Sequence, residues 1–432
     1  MNLRAGFLIG GLGLALVAGQ RRTSFPLPPT EPEEISQILR ETTVIDTAVT
    51  TRFFQFEGEP KKVLNPEGLV QGGMNAVVLG AGALAEEIEV QNVGSYVYQP
   101  PNPGVAAFRT VFPGHSVVKR MLWEFDAVFE TVARHPKTLE IALDADAISE
   151  SKKRGKLALI LGLDSGVEID DDLRVLRSYY RLGARKLALV HQAPAAWADS
   201  CTGILDDGDL GLSAFGKEVV RECNRLGILV DVSHVSDQTF WETIETSQKP
   251  IIASHSGARA ITDVSRNLTD PMLKALAKNG GMVGVGAYLN LTQVKDLDAT
   301  GYYERRFQVA NHLAHKYSDP FRLASALRQP LEQEQARKEL GQPASQRVDT
   351  SLNFSGDIAS LVTDTMNHID HIVQLIGEDS VGVGTDVDMR LPGYESLFRE
   401  LTKSLLKRGY RKEAIQKILG GNFVRVFRAQ KH

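Results

Sequence analysis

The sequence predicts an α/β protein, a TIM-type (β/α)8 barrel, on three observations. Eight short apolar, β-branched runs follow one another, helix-patterned segments separate most of them, and glycine closes helices, as at Gly183 and Gly227. The runs are TVIDTAV, NAVVLG, KLALILG, KLALVH, ILVDVSH, PIIASHS, MVGVGA and SVGVGTD. A doubly wound open sheet also alternates strand and helix, but no glycine-rich phosphate fingerprint follows the first run.

The clearest unit is GILVDVSHVSDQTFWETIETSQKPIIASHS, from Gly227 to Ser256. Its two strands stop at His234 and His255, and the segment between them opens on a Ser/Asp cap and carries apolar residues at helical spacing. Such a β-α-β unit has parallel strands, so both imidazoles fall at one end of the sheet. In a β/α barrel that end is the active-site face.

In chain order, Met1–Arg4 carries one positive charge, and an apolar run of about 15 residues follows, the length of a signal-peptide core. Residues 1–20 therefore read as a signal peptide or short anchor, with Arg21-Arg22 too late for a twin-arginine signal and no cysteine to carry a lipid. The expected location is exported: periplasmic, or membrane-associated outside the cytoplasm. Residues 21–40 form a proline-rich linker and an opening helix, EEISQILRETT, and 41–432 the barrel. A loop is expected over 94–114, then a long helix from Ser116 to His135 with Val117, Val118, Met121, Leu122, Phe125, Val128 and Phe129 on its apolar side. A polar, partly helical insertion without a strand spans about 289–357. The last strand ends in Asp386 and Asp388, and two helices close the chain.

A length of 432 residues suits one large α/β domain or two smaller domains. A formal charge of −4 without a long basic run gives no electrostatic case for nucleic acid. The two cysteines, Cys201 and Cys223, cannot make a framework of several disulfides.

What the strand ends carry points to chemistry: Asp164, His191, His234, His255 and Asp386 would all face one pocket. Nitrogen and oxygen ligands around a metal ion with one open position lower the pKa of a bound water, which fits hydrolysis. Asp386 can pass that water's proton to a leaving amine. His191 can serve as a ligand or as a donor to a developing oxyanion. Arg266, just after the His255 strand, can grip a substrate carboxylate in bidentate fashion. Trp197 and its loop are a candidate pocket wall.

These residues resemble the membrane (renal) dipeptidases, zinc metallopeptidases with an amidohydrolase-like barrel, over most of the chain after about Glu41. The pieces that carry the resemblance are RLGARKLALVHQAPAAWADS, GLSAFGKEVVRECNRLGILVDVSHVS, PIIASHSGARAITDVSRNLTD, HIDHIVQLIGEDSVGVGTDVD and GGNFVRVF. The resemblance implies that His234 and His255 are ligands of one zinc, that His191 and Arg266 contact substrate, and that Asp386 is the catalytic acid/base. It implies a peptide substrate, and leaves a membrane tether through the N-terminal segment and a homodimer as further partners. The chain departs from the family at the metals. Asp46 is kept, but Ala48 and Thr50 stand where the family has a His-x-Asp pair for a second zinc, and Asp164 stands for its bridging glutamate. Asp164, His234 and His255 would then hold at most about one zinc per chain, the ligand type of single-zinc peptidases.

Three functions follow from this. The first is a metallohydrolase of dipeptides or similar small peptides. The second is a redirected relative in the periplasmic maturation of a peptide natural product or siderophore of pyoverdine type. The third is a metal-free binding or accessory protein on the same barrel.

Overall fold

The computed structural model describes residues 33–49, 64–81, 117–191, 194–201, 210–286, 330–342, 358–387 and 393–431, with Val309, His312, Lys316 and Met389. The signal segment, most of the linker, Thr50, the 94–114 loop, Asp388 and most of the 289–357 insertion lie outside the described residues. Of the insertion, the helix Pro330–Glu339 is described.

Among the described residues nine strands, all parallel, form one sheet: β1 Val44–Val49, β2 Met74–Ala81, β3 Leu139–Ile141, β4 Leu157–Leu163, β5 Ala184–Ala188, β6 Leu229–Asp231, β7 Ile252–Ser256, β8 Met282–Val285 and β9 Val381–Val383. Their order is β1-β2-β4-β5-β6-β7-β8-β9, and β3 pairs with β4 off this path. A parallel bridge between Val49 and Val387, and a 2.9 Å bond from the Asp386 amide to the Ala48 carbonyl, bring the last strand back to the first. The eight strands on the path are the eight apolar runs of the sequence. The extra one, β3, has three residues, too few to show a period, and pairs with Leu157–Leu159 just before the cap at Asp144.

Alternation along the strands sorts the core into two layers. Leu157, Leu159, Leu161 and Leu163 of β4 belong with Val77, Leu79, Leu187, Val230 and Val283 in the cluster shared with the surrounding helices. The intervening Ala158 and Ile160 belong with Ile45, Ala76, Val78, Leu229, Ile252 and Met282, and with Phe423 and Phe427 of the C-terminal helix. Further along the same inner face, toward the strands' carboxyl ends, the residues turn polar: Asp164, Lys186, Asp231 and Ser254. The lower barrel is an apolar plug, and its mouth is ionic.

The long helix expected from Ser116 to His135 spans Val117–Arg134 and buries Val117, Met121, Phe125 and Val128. Leu122 and Phe129, expected on the same apolar side, are exposed. Each follows a buried residue by one position, a turn of about 100° around the axis, which carries it off the buried stripe.

Candidate active site and metal centre

The site begins with a carboxylate that locks two strand ends together. Asp231, the last residue of β6, accepts through Oδ1 from the amides of Ser233 (3.0 Å) and Ser254 (2.9 Å), and through Oδ2 from the Ser254 hydroxyl (2.5 Å). The Ser233 hydroxyl accepts from the His255 amide at 3.0 Å. This lattice of bonds fixes the turn after β6, where His234 takes the left-handed backbone at φ 72°. A non-glycine residue there costs conformational energy and persists only where its surroundings impose it.

The two imidazoles then meet, with His234 Nε2 2.9 Å from His255 Nε2. His191, just beyond β5, lays its ring against that of His234 with centroids 3.7 Å apart. Its loop is tied in place by Ser200 Oγ, which donates to the His191 carbonyl at 2.8 Å, and by the Cys201 amide, which donates to the His234 carbonyl at 2.7 Å. One ligand atom from each of the three buried histidines lies within 4.8 Å of the others. Burial holds all three rings well below the usual imidazole pKa. The His255 ring and the Arg266 guanidinium add to this for His191, Arg266, the other two histidines and the Lys186 ammonium for His234, and Arg266 and Lys186 for His255.

Neutral imidazole is the form that binds metal. The hydrogen bonding behind His255 also suits a ligand. Its Nδ1 is 2.7 Å from Ser254 Oγ, whose proton goes to Asp231, so Nδ1 is the donor and Nε2 keeps its lone pair toward the other rings. His234 Nδ1 is buried and, among the described residues, without a hydrogen-bond partner. Three close, neutral, buried nitrogen donors fit a borderline divalent ion such as zinc.

Asp386 sits across from them, its Oδ2 4.0 Å from His255 Nε2. It too is in the left-handed region, at φ 55°. The preceding Thr385 is gripped by Asp46 of β1, which accepts from its amide (2.9 Å) and hydroxyl (2.5 Å) and from the Tyr394 hydroxyl (2.7 Å). Asp46 is thus the counterpart of Asp231, a buried carboxylate that sets a strand end. Burial pushes the Asp386 carboxyl up to about 7, against the pull of Arg266 and with the help of Asp164. Arg266 donates through Nη2 to the His255 carbonyl at 3.3 Å, while its Nη1 is buried and, among the described residues, without a hydrogen-bond partner.

Asp164, expected beside His234 and His255 in the ligand set, has its Oδ1 3.1 Å from Lys186 Nζ and is not among the three converging groups. Ala48 is buried on β1, and its carbonyl takes the Asp386 amide. Trp197 is a core residue, with its ring edge-on to Phe215 at 6.1 Å and close over Gly166. Sequence reasoning missed Lys186, Ser254 and the structural task of Asp231. For Lys186 a signal existed: a charged residue at an inward position of a buried parallel strand breaks the pattern of apolar residues there.

A parallel barrel whose mouth gathers histidines and a buried carboxylate on the ends of different strands defines a class, the amidohydrolase-like barrels. Within it, the chain belongs to the membrane dipeptidases, peptidase family M19, whose profile matches residues 33–432. Dipeptidase 3 of Rattus norvegicus is 31% identical over 319 residues, covering 72% of this chain and 52% of that protein. The chain thus spans about half the length of the curated relatives it matches. Among solved structures, the probable dipeptidase PvdM of Pseudomonas aeruginosa superposes with a TM-score of 0.66 at 21% identity, covering 92% of this chain and 98% of that one. A metallo peptidase from Rhodobacter sphaeroides, solved with a phosphinate mimic of the dipeptide L-Ala-D-Ala, superposes with a TM-score of 0.56 at 18% identity, covering 90% and 99%.

Proposed function

We propose that this chain is a metal-dependent hydrolase of the amide bond in a dipeptide or similar small peptide. The observation that carries this reading is the convergence of His191, His234 and His255 as neutral imidazoles, with Asp386 4.0 Å from His255. Their geometry favours His191 as the third nitrogen ligand, and Asp164 as the partner of Lys186. A divalent ion held by these rings, about one per chain, would lower the pKa of a water and polarise the substrate carbonyl. Asp386, with a carboxyl poised near neutrality, takes the water's proton and returns it to the leaving amine. Arg266 offers its unpartnered Nη1 to the substrate's terminal carboxylate, which places the scissile amide over the histidines.

The test is release of free amino acids from a panel of dipeptides, with zinc removed by chelator and then restored. Turnover that vanishes and returns with zinc supports the reading. Zinc bound without turnover of any dipeptide would favour the redirected relative, and no zinc at all the accessory protein.

We also propose that the apolar run near the N-terminus directs export. Fractionation of cells expressing the full chain should then place the barrel in the periplasm or on the outer side of a membrane. Uncleaved protein recovered in the cytosol would contradict this.

A further inference from the structure

Lys186 is a charged side chain of the barrel interior to which the proposed reaction assigns no part. Lys186 lies on β5 facing inward, with 1% of its side chain exposed, and its Nζ is 3.1 Å from Asp164 Oδ1 and 3.2 Å from Asp231 Oδ2. Two glycines make room for this group. A Cβ at Gly162 would come within 2.7 Å of Lys186 Cε, and one at Gly80 within 1.9 Å of Asp164 Oδ2. The neighbouring strands are therefore shaped around the ion pair.

Two carboxylates buried side by side need a positive charge between them, because each raises the cost of ionising the other and water is excluded. The lysine ammonium is a compact point charge that reaches both. Burial works against its charge, but Asp164 and Asp231 outweigh that and raise its pKa. Behind Asp231 lie the Ser254 hydroxyl and, beyond it, His255 Nδ1, so the ammonium also anchors the contacts that orient a ring of the histidine cluster.

We propose that the Lys186 ammonium is a resident cation that occupies Asp164 and Asp231 in place of a second divalent ion, leaving the mouth of the barrel room for the ion at the histidines alone. The proposal rests on the metallohydrolase reading for the ion at the histidines only. A small divalent cation prefers the same hard carboxylate oxygens, so removing the ammonium opens its place to such an ion.

The experiment uses the full chain loaded with zinc and then titrated with manganese(II), with free manganese counted by electron paramagnetic resonance. The wild type should take up no tightly bound manganese. Lys186→Met should take up about one ion per chain, since carboxylate oxygens suit manganese, and should melt higher with the ion than without it. Asp164→Asn combined with Lys186→Met should lose that ion.

Tight manganese in the zinc-loaded wild type overturns the proposal. So does a Lys186→Met protein that folds without taking manganese, or one that fails to fold even with manganese present. So does a double variant that keeps the ion. Zinc content read on the same wild-type samples bears on the metallohydrolase reading separately, because a wild type without zinc removes that reading while the manganese counts still decide the role of Lys186.

Discussion

His255→Ala or His234→Ala should abolish metal-dependent dipeptide turnover, lowering kcat/KM by about 10³-fold or more. That loss corresponds to about 4 kcal/mol of barrier, the order of what a bound metal contributes to hydrolysis. Each change removes one of three nitrogens that lie within 4.8 Å of one another, and a catalytic site of this kind needs about three protein ligands. The fold should survive. Asp231 still accepts from the Ser233 and Ser254 amides, and the Ser254 hydroxyl keeps its bond to Asp231. Circular dichroism should be unchanged, and the rise in Tm that zinc gives the wild type should disappear, because a ligand stabilises only the state that binds it. Full-rate hydrolysis after either change would place the catalyst elsewhere.

Asp386→Asn should lower kcat by about 10²- to 10⁴-fold, the range for loss of a positioned general acid/base, and leave zinc content unchanged. In the wild type the carboxylate form accepts the proton, so the rate should fall as pH drops through the pKa of Asp386. Burial sets that value at about 7, and a bound cation pulls it lower.

The same group has a cost in stability. Its folded pKa is raised, so the folded state binds more protons than the unfolded chain between the unfolded value of about 4 and the folded one. Ionising it at higher pH destabilises the fold. Metal-free Asp386→Asn should therefore melt above the wild type at pH 8, with the gain shrinking as pH falls through about 7 and gone at about 4. An activity loss accompanied by loss of zinc would make Asp386 a ligand instead.

Much of the frame was legible because its signals are local. Each strand on the path announced itself by a β-branched run, and the pairing of His234 with His255 followed from two such runs ending alike. What was illegible depended on contacts across the barrel. β3 is held by its pairing with Leu157–Leu159, more than a dozen residues further on, and carries no period of its own. Asp231 and Asp46 look alike in sequence to any aspartate near a strand end. Only the register of β6 with β7, and the return of the chain at Thr385 to β1, make them the pins of the site.

Lys186 is the instructive case. Inward parity and burial together placed its charge beside Asp164, and with that the histidine next along the chain, His191, became the nearest third nitrogen for His234 and His255. Neither β5 nor β6 alone carries that information.

Zinc K-edge X-ray absorption on the purified wild-type protein reads the ligand shell of the bound ion itself. The spectrum should show a single zinc whose shell carries the outer scattering of about three imidazoles, with no second zinc nearby. A zinc–zinc vector, or a shell of carboxylate oxygens with one imidazole or none, would contradict it.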